Sequence, residues 1–105
     1  MSSSKEYLEY ITDGLPEPEM LSYRSMMGEY ILYYRGKVIG GIYDNRLLIK
    51  PTTSAKALLP NAALELPYEG AKKMLLVEEI NNKELLTKLF RQVSEELPAP
   101  KKKHP

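Results

Sequence analysis

The chain has 105 residues, 43% apolar and 28% charged, which is one globular domain's worth and argues against wholesale disorder. Fifteen Lys and Arg against fourteen Asp and Glu give a formal net charge of +1, unlike the strongly basic balance of a dedicated nucleic-acid binder. With no Cys, disulfides, thiolate metal sites and Cys nucleophiles are excluded, and no apolar run approaches the ~18 residues of a membrane span.

Charge is unevenly spread. Residues 1–22 carry one Lys against five acids, residues 23–50 carry five basic residues against Glu29 and Asp44, and Lys101, Lys102 and Lys103 close the chain. Residues 1–6 hold no apolar stretch of the kind that opens a signal peptide, so the cytoplasm is the expected compartment, with no membrane partner.

In chain order, Ser3 and Glu6 have capping-box spacing ahead of Tyr7, Leu8 and Ile11, which predicts a first helix closed by Gly14. Leu15-Pro16-Glu17-Pro18-Glu19 reads as a loop. Tyr23–Met27, Glu29–Tyr34, Lys37–Tyr43 and Leu47–Lys50 read as short strands. Arg35-Gly36-Lys37 and Asp44-Asn45-Arg46 supply tight turns between them, so an antiparallel meander is expected. The pair Gly40-Gly41 inside a strand predicts a bulge or the close approach of another backbone.

After Pro51, Thr53 or Ser54 is expected to cap a short helix ending at Leu59, and residues 60–72 read as irregular. Lys73–Glu78 has the length and apolar content of one more strand. Asn81 and Glu84 then have near-capping-box spacing. Leu85, Leu86, Leu89, Phe90, Val93 and Leu97 trace one face of a helix of roughly four turns, ended by Pro98. The fold class expected is α+β: a single antiparallel sheet, a meander of three to four strands plus a later strand, with N- and C-terminal amphipathic helices on one face. Residues 1–97 would form the domain and residues 98–105 a disordered basic tail.

Constellations that carry chemistry are sparse. His104, the one His, stands in the tail between Lys103 and Pro105, so no metal site is expected. Glu78 and Glu79 are adjacent and would point to opposite faces of a strand, and Ser25, Ser54 and Ser94 have no structured His as base. An enzyme is therefore not expected, nor is a cofactor. Arg24, Arg35, Lys37, Arg46 and Lys50 form the one basic concentration, with Arg35, Lys37 and Arg46 expected exposed at sheet ends; Arg24, Arg35, Lys37 and Arg46 are the candidate partner contacts. Tyr30, Tyr33, Tyr34 and Tyr43 fall on neighbouring strands, either as ordinary cross-strand packing or as a stacking surface for bases, with the Lys tail assisting. Arg24 is also a candidate ion-pair partner for Glu9 or Asp13. Sheet edges such as Leu47–Lys50 would allow a homodimer.

Tyr23-Arg24-Ser25-Met26-Met27-Gly28-Glu29-Tyr30-Ile31-Leu32-Tyr33, followed by Gly36-Lys37, Asp44, Arg46-Leu47 and Lys50, resembles the N-terminal domain of the TfoX/Sxy family. The family pattern runs Arg-x-Met-Phe-Gly-Gly-Tyr-Gly-Leu-Tyr before a Gly-Lys turn, and Arg24, Met26, Gly28, Tyr30, Leu32 and Tyr33 match in register. Met27 stands in place of an aromatic, and Glu29 and Ile31 in place of Gly. Tyr68-Glu69-Gly70 is similar to the family's later Tyr-containing turn, so the resemblance runs to about Leu97. It implies a small α+β domain with a regulatory or protein-interaction role. Longer members are positive regulators of natural competence, act with the cAMP receptor protein and carry a second, C-terminal domain; a stand-alone form without that domain is the expectation here. A transcription regulator is the kind of partner the resemblance implies.

Overall fold

Three two-residue turns with left-handed backbones shape the first half of the sheet: Met27-Gly28 (φ 52° and 84°), Arg35-Gly36 (54° and 80°) and Asp44-Asn45 (55° and 54°). Positive φ at both central residues is what a type I′ hairpin needs, because its twist matches that of the flanking strands. They connect β1 (Leu21–Met26), β2 (Glu29–Tyr34), β3 (Lys37–Ile42) and β4 (Leu47–Ile49) into the expected meander. The computed structural model describes residues 3–98. The expected tail beyond Pro98, with Lys101, Lys102, Lys103 and His104, lies outside the described residues.

The remaining elements are α1 (Lys5–Thr12), a short 3-10 turn at Pro18–Met20, α2 (Thr53–Leu58), β5 (Leu64–Glu65), β6 (Met74–Val77) and α3 (Lys83–Glu96). All six strands form one antiparallel sheet in the order β1-β2-β3-β4-β6-β5. The fold is α+β, as expected, with two corrections. The stretch read as irregular contains β5, which two residues cannot announce by periodicity. The strand expected at an edge, β4, is interior, bonded to β3 on one side and β6 on the other, so the open edges are β1 and β5.

Each helix is capped one or two residues away from the position its sequence suggests. Ser4 accepts from Tyr7 N–H, Thr52 from Ala55 N–H and Asn82 from Leu85 N–H, in place of Ser3, Thr53 or Ser54, and Asn81. The spacing is the same in all three, an oxygen satisfying the free N–H of the third helical residue. Ser3 is displaced from this role because its hydroxyl is drawn into the hairpin turns instead. Gly14 follows α1 with φ 78°, the left-handed exit expected of it.

Strand register assigns the two faces. Leu32, Tyr34, Ile42, Leu47, Ile49, Leu75 and Val77 point to the face that carries α1 and α3, and they share one core with Leu8, Ile11, Leu86, Leu89, Phe90 and Val93. Each fully buried side chain of this kind contributes roughly 1.5–3 kcal/mol, so α3, with Leu86, Leu89, Phe90 and Val93 buried, anchors the layer more strongly than α1 with two. The Lys37 ammonium ties β3 to the end of α3, donating to the Ser94 carbonyl at 2.7 Å and the Leu97 carbonyl at 3.1 Å. Glu96, also on α3, accepts from Ser54 N–H at 2.9 Å and holds α2 alongside.

Both halves of the expectation for Gly40-Gly41 hold. The register between β2 and β3 shifts at Leu32/Tyr33, which leaves Ile39 as the extra residue of a bulge. A Cβ on Gly40 would fall on the Leu48 carbonyl oxygen, and one on Gly41 would stand 2.6 Å from the Tyr30 carbonyl oxygen and 2.6 Å from the Tyr43 ring.

Candidate functional site

The second sheet face carries no helix. Along β1 it presents Arg24 and Met26, along β2 Ile31 and Tyr33, along β3 Val38 and Gly41, and along β4 Leu48, as the pairs Arg24–Ile31, Ile31–Gly41 and Gly41–Leu48 require. Its β1–β2 side is open: Arg24 and Met26 are exposed and Ile31 and Tyr33 half-buried. Leu48 is buried nonetheless. The chain leaving β5 crosses this end of the face, with Pro67 buried and Tyr68 beside Tyr43.

Arg46 is the clamp that holds the crossing segment. Its guanidinium pairs with Glu65 at 2.8 Å, reaches the Pro67 carbonyl at 3.5 Å and bonds the Tyr43 carbonyl through Nε at 3.1 Å. The half-buried pair contributes little energy as an exposed ion pair would, about 1 kcal/mol or less, yet it fixes where the loop lies. Its product is a ring pair: Tyr43 and Tyr68 have centroids 6.0 Å apart at 53°. Tyr43 is 9% exposed and wedged over Gly41, whereas Tyr68 is 60% exposed. Burial pushes the Tyr43 hydroxyl above its ordinary pKa, and nearby Tyr68, Glu29 and Tyr33 push the same way.

The ring pair is a wall between two clefts of opposite chemistry. On one side Met26, Met27 and Glu29 join it around about 420 Å³. On the other, Lys50, Thr52, Lys72 and Lys73 join it around about 490 Å³, floored by Pro67 and Met74. Met27 is the most exposed large apolar residue among those described, at 95%, and it is held there by a φ of 52°.

The four basic candidates do not form one patch. Arg24 lies exposed on the open face, opposite α1, so it does not meet Glu9 or Asp13, and Arg46–Glu65 is the one ion pair among the described residues. Arg35 is exposed in the β2–β3 turn, its guanidinium 5.8 Å from the centre of the Tyr34 ring. Lys37 and Arg46 are half-buried rather than exposed, and they sit at opposite ends of the β3 hairpins with their donors already used on α3 and on the crossing loop. The tyrosines divide too. Tyr34 is buried near Phe90, and Tyr30 shares that face with its ring 5.6 Å from Tyr23 at the β1 edge, so only Tyr33 and Tyr43 belong to the open face. A four-tyrosine stacking surface is therefore not what the pleat builds.

Of the residues that carry the TfoX/Sxy resemblance, Gly28 and Gly36 hold left-handed turn positions, Met26 and Tyr33 face the open side, and Tyr23 and Tyr30 pack against each other. Ser94 is buried with its hydroxyl on the Arg91 carbonyl of its own helix, Ser25 and both Glu78 and Glu79 are exposed, and no metal-ligand cluster is found among the described residues. No helix among the described residues is long and apolar enough to cross a membrane. Tyr68, Lys72 and Lys73 were not legible as site residues, since they lie in the stretch without periodicity. The available signal was a tyrosine between Pro67 and Gly70 in a loop, where binding residues concentrate.

These features define a small α+β domain in which one sheet face is buried under helices and the other offers a tyrosine wall between an apolar and a basic cleft. The chain is 31% identical over 102 residues to the "Uncharacterized 12.7 kDa protein in trpE 5'region" of Spirochaeta aurantia, an alignment that covers 96% of this chain and 89% of that protein, and it belongs to the same family. No family model and no solved structure matches the chain.

Proposed function

We propose that the chain is a non-enzymatic regulatory or protein-interaction domain of the TfoX N-terminal kind, acting in the cytoplasm and tied to transcription or competence control. The observation that carries this reading is Met27. A non-glycine residue at positive φ costs about 1–2 kcal/mol, and an apolar side chain that is 95% exposed gains no burial in return. Local strain combined with an exposed anchor is the pattern of a residue kept for a contact outside its own fold.

Around Met27 the apolar cleft supplies Met26, Tyr43 and Tyr68, and Arg24 stands two residues before Met26 on the same face of β1. The partner surface that fits is an apolar side chain flanked by a carboxylate. Methionines suit such a contact because their flexible thioethers adapt to the partner's shape.

The test is capture from a lysate of the source organism at low and at moderate salt, with wild type and Met27→Gly compared. The expected result is one protein, a transcription regulator, that survives moderate salt on wild type and is lost from the variant. The variant itself should be more stable, by about 0.5–1 kcal/mol, because glycine relieves the left-handed strain at some entropic cost. Equal capture by both proteins overturns the reading. Recovery of nucleic acid that washes off with salt favours the second reading, a weak nucleic-acid binder using the open face and the basic tail.

A further inference from the structure

We propose that the basic cleft beside Tyr43 and Tyr68 is a binding site for a small ligand that joins a planar ring to two phosphates, a nucleoside diphosphate in chemical class. Its volume, about 490 Å³, lies in the range of small-molecule sites. One wall is the tyrosine pair, with Tyr43 immobilised over Gly41 and Tyr68 exposing its ring to stacking. Lys50, Lys72 and Lys73 contribute three ammonium groups, none in an ion pair among the described residues.

No carboxylate lines the cleft. Glu69, the acid nearest in the chain to Tyr68 and Lys72, is exposed, lies outside the lining and makes no ion pair among the described residues, and Glu65 is held by Arg46. The three positive charges thus have no internal partner, which is unusual for a concave surface bounded by Pro51 and Pro67, whose rings stiffen the backbone. A single terminal phosphate carries a charge of about −1.5 to −2 near pH 7, which three ammonium groups exceed; two linked phosphates match them. Lysine binds phosphate as a point charge, and tyrosine faces accept a base without reading its identity.

The geometry favours one nucleotide over a strand. Beyond the Tyr43–Tyr68 wall the neighbouring cleft is lined by Met26, Met27 and Glu29, whose one charge is a carboxylate that would repel a following phosphate.

Isothermal titration of the full chain with ADP, adenosine and inorganic pyrophosphate tests the proposal. Saturable ADP binding with Kd at or below about 1 mM is expected, with adenosine and pyrophosphate each about tenfold weaker or worse. Lys72→Ala with Lys73→Ala should weaken ADP about tenfold while leaving the thermal midpoint unchanged, since both side chains are exposed, and Tyr68→Ala should separately weaken ADP about tenfold. Met27→Gly should leave ADP binding intact, which separates this site from the partner-binding reading. No saturable ADP binding overturns the proposal. So does pyrophosphate binding as well as ADP, which would mark a basic surface only. So does a single-stranded oligonucleotide that binds far more tightly than ADP and gains affinity with length.

Discussion

The Ser3 hydroxyl donates to Oε1 of Glu29 at 2.7 Å across 26 positions of the chain. The same carboxylate oxygen accepts Asp44 N–H at 3.0 Å, and the Ser3 oxygen accepts Asn45 N–H at 2.9 Å, so two hairpin turns and the start of the chain meet at one carboxylate. Ser3 N–H adds a bond to the Gly28 carbonyl at 2.9 Å. Glu29 is thus the pin that joins the β1–β2 and β3–β4 turns.

Glu29→Ala should therefore lower the unfolding free energy by about 1–3 kcal/mol, the range for stranding partly buried donors. Ser3→Ala should cost about 1 kcal/mol, and the double variant less than the two together, because both remove the same bond. Urea denaturation of the four proteins measures this; strict additivity would show that the two residues act independently.

Charge reversal at Arg35 and at Lys37 should separate. Arg35 is exposed and makes no ion pair among the described residues, so Arg35→Glu should change stability by no more than about 0.5 kcal/mol. Lys37→Glu removes a cation from the α3 carbonyls and places an anion there, against the helix dipole, for a loss of about 1–3 kcal/mol. Equal thermal midpoints for the two variants would contradict the capping role.

Gly41→Ala should destabilise by about 1–3 kcal/mol, because its Cβ has to displace the Tyr30 carbonyl or the Tyr43 ring. Since Tyr43 is the inner half of the tyrosine wall, the variant should also alter its fluorescence. Gly40→Ala meets backbone rather than a side chain, at Leu48, and should be the more damaging of the two. Thermal unfolding monitored by tyrosine emission reads both effects.

Alkaline pH should weaken the fold. Burial raises the pKa of Tyr7, Tyr34 and Tyr43 above the ordinary tyrosine value, with neighbouring Glu17 and Tyr68 adding to it at Tyr34 and Tyr43 respectively. Below about pH 9 the hydroxyls are neutral in folded and unfolded chains alike and the stability is fully present. Above it the unfolded chain ionises first, and stability is lost as pH rises towards the folded-state values. The urea midpoint should fall between about pH 9 and about pH 11, and more shallowly in Tyr43→Phe. A midpoint that holds level over that interval would contradict the burial of these hydroxyls.

Local chemistry carried much of the architecture into the sequence. The meander was readable because Gly36, Asp44 and Asn45 sit at two-residue spacings that only left-handed turns satisfy, and α3 because its apolar residues repeat at helical intervals. The caps were readable to within one or two residues, since neighbouring serines, threonines and asparagines are chemically equivalent and only the path of the chain selects among them. Ser4 caps α1 because Ser3 is taken up by Glu29, a residue 26 positions away.

The site was much less legible. Arg46 and Lys37 looked like free surface charge because each follows a turn, and only folding brings Glu65 and Pro67 to the first and the end of α3 to the second. β5, Tyr68 and the two lysines after it have no periodicity of their own; pairing with β6 and the Arg46 clamp place them. By itself the sequence determined the fold class, the turns and the apolar faces, because these depend on backbone preference and on side chains a few positions apart. Tertiary structure alone decided which sheet face stayed open, which cations kept a free charge and which two tyrosines met, because those depend on contacts between residues that the chain holds far apart.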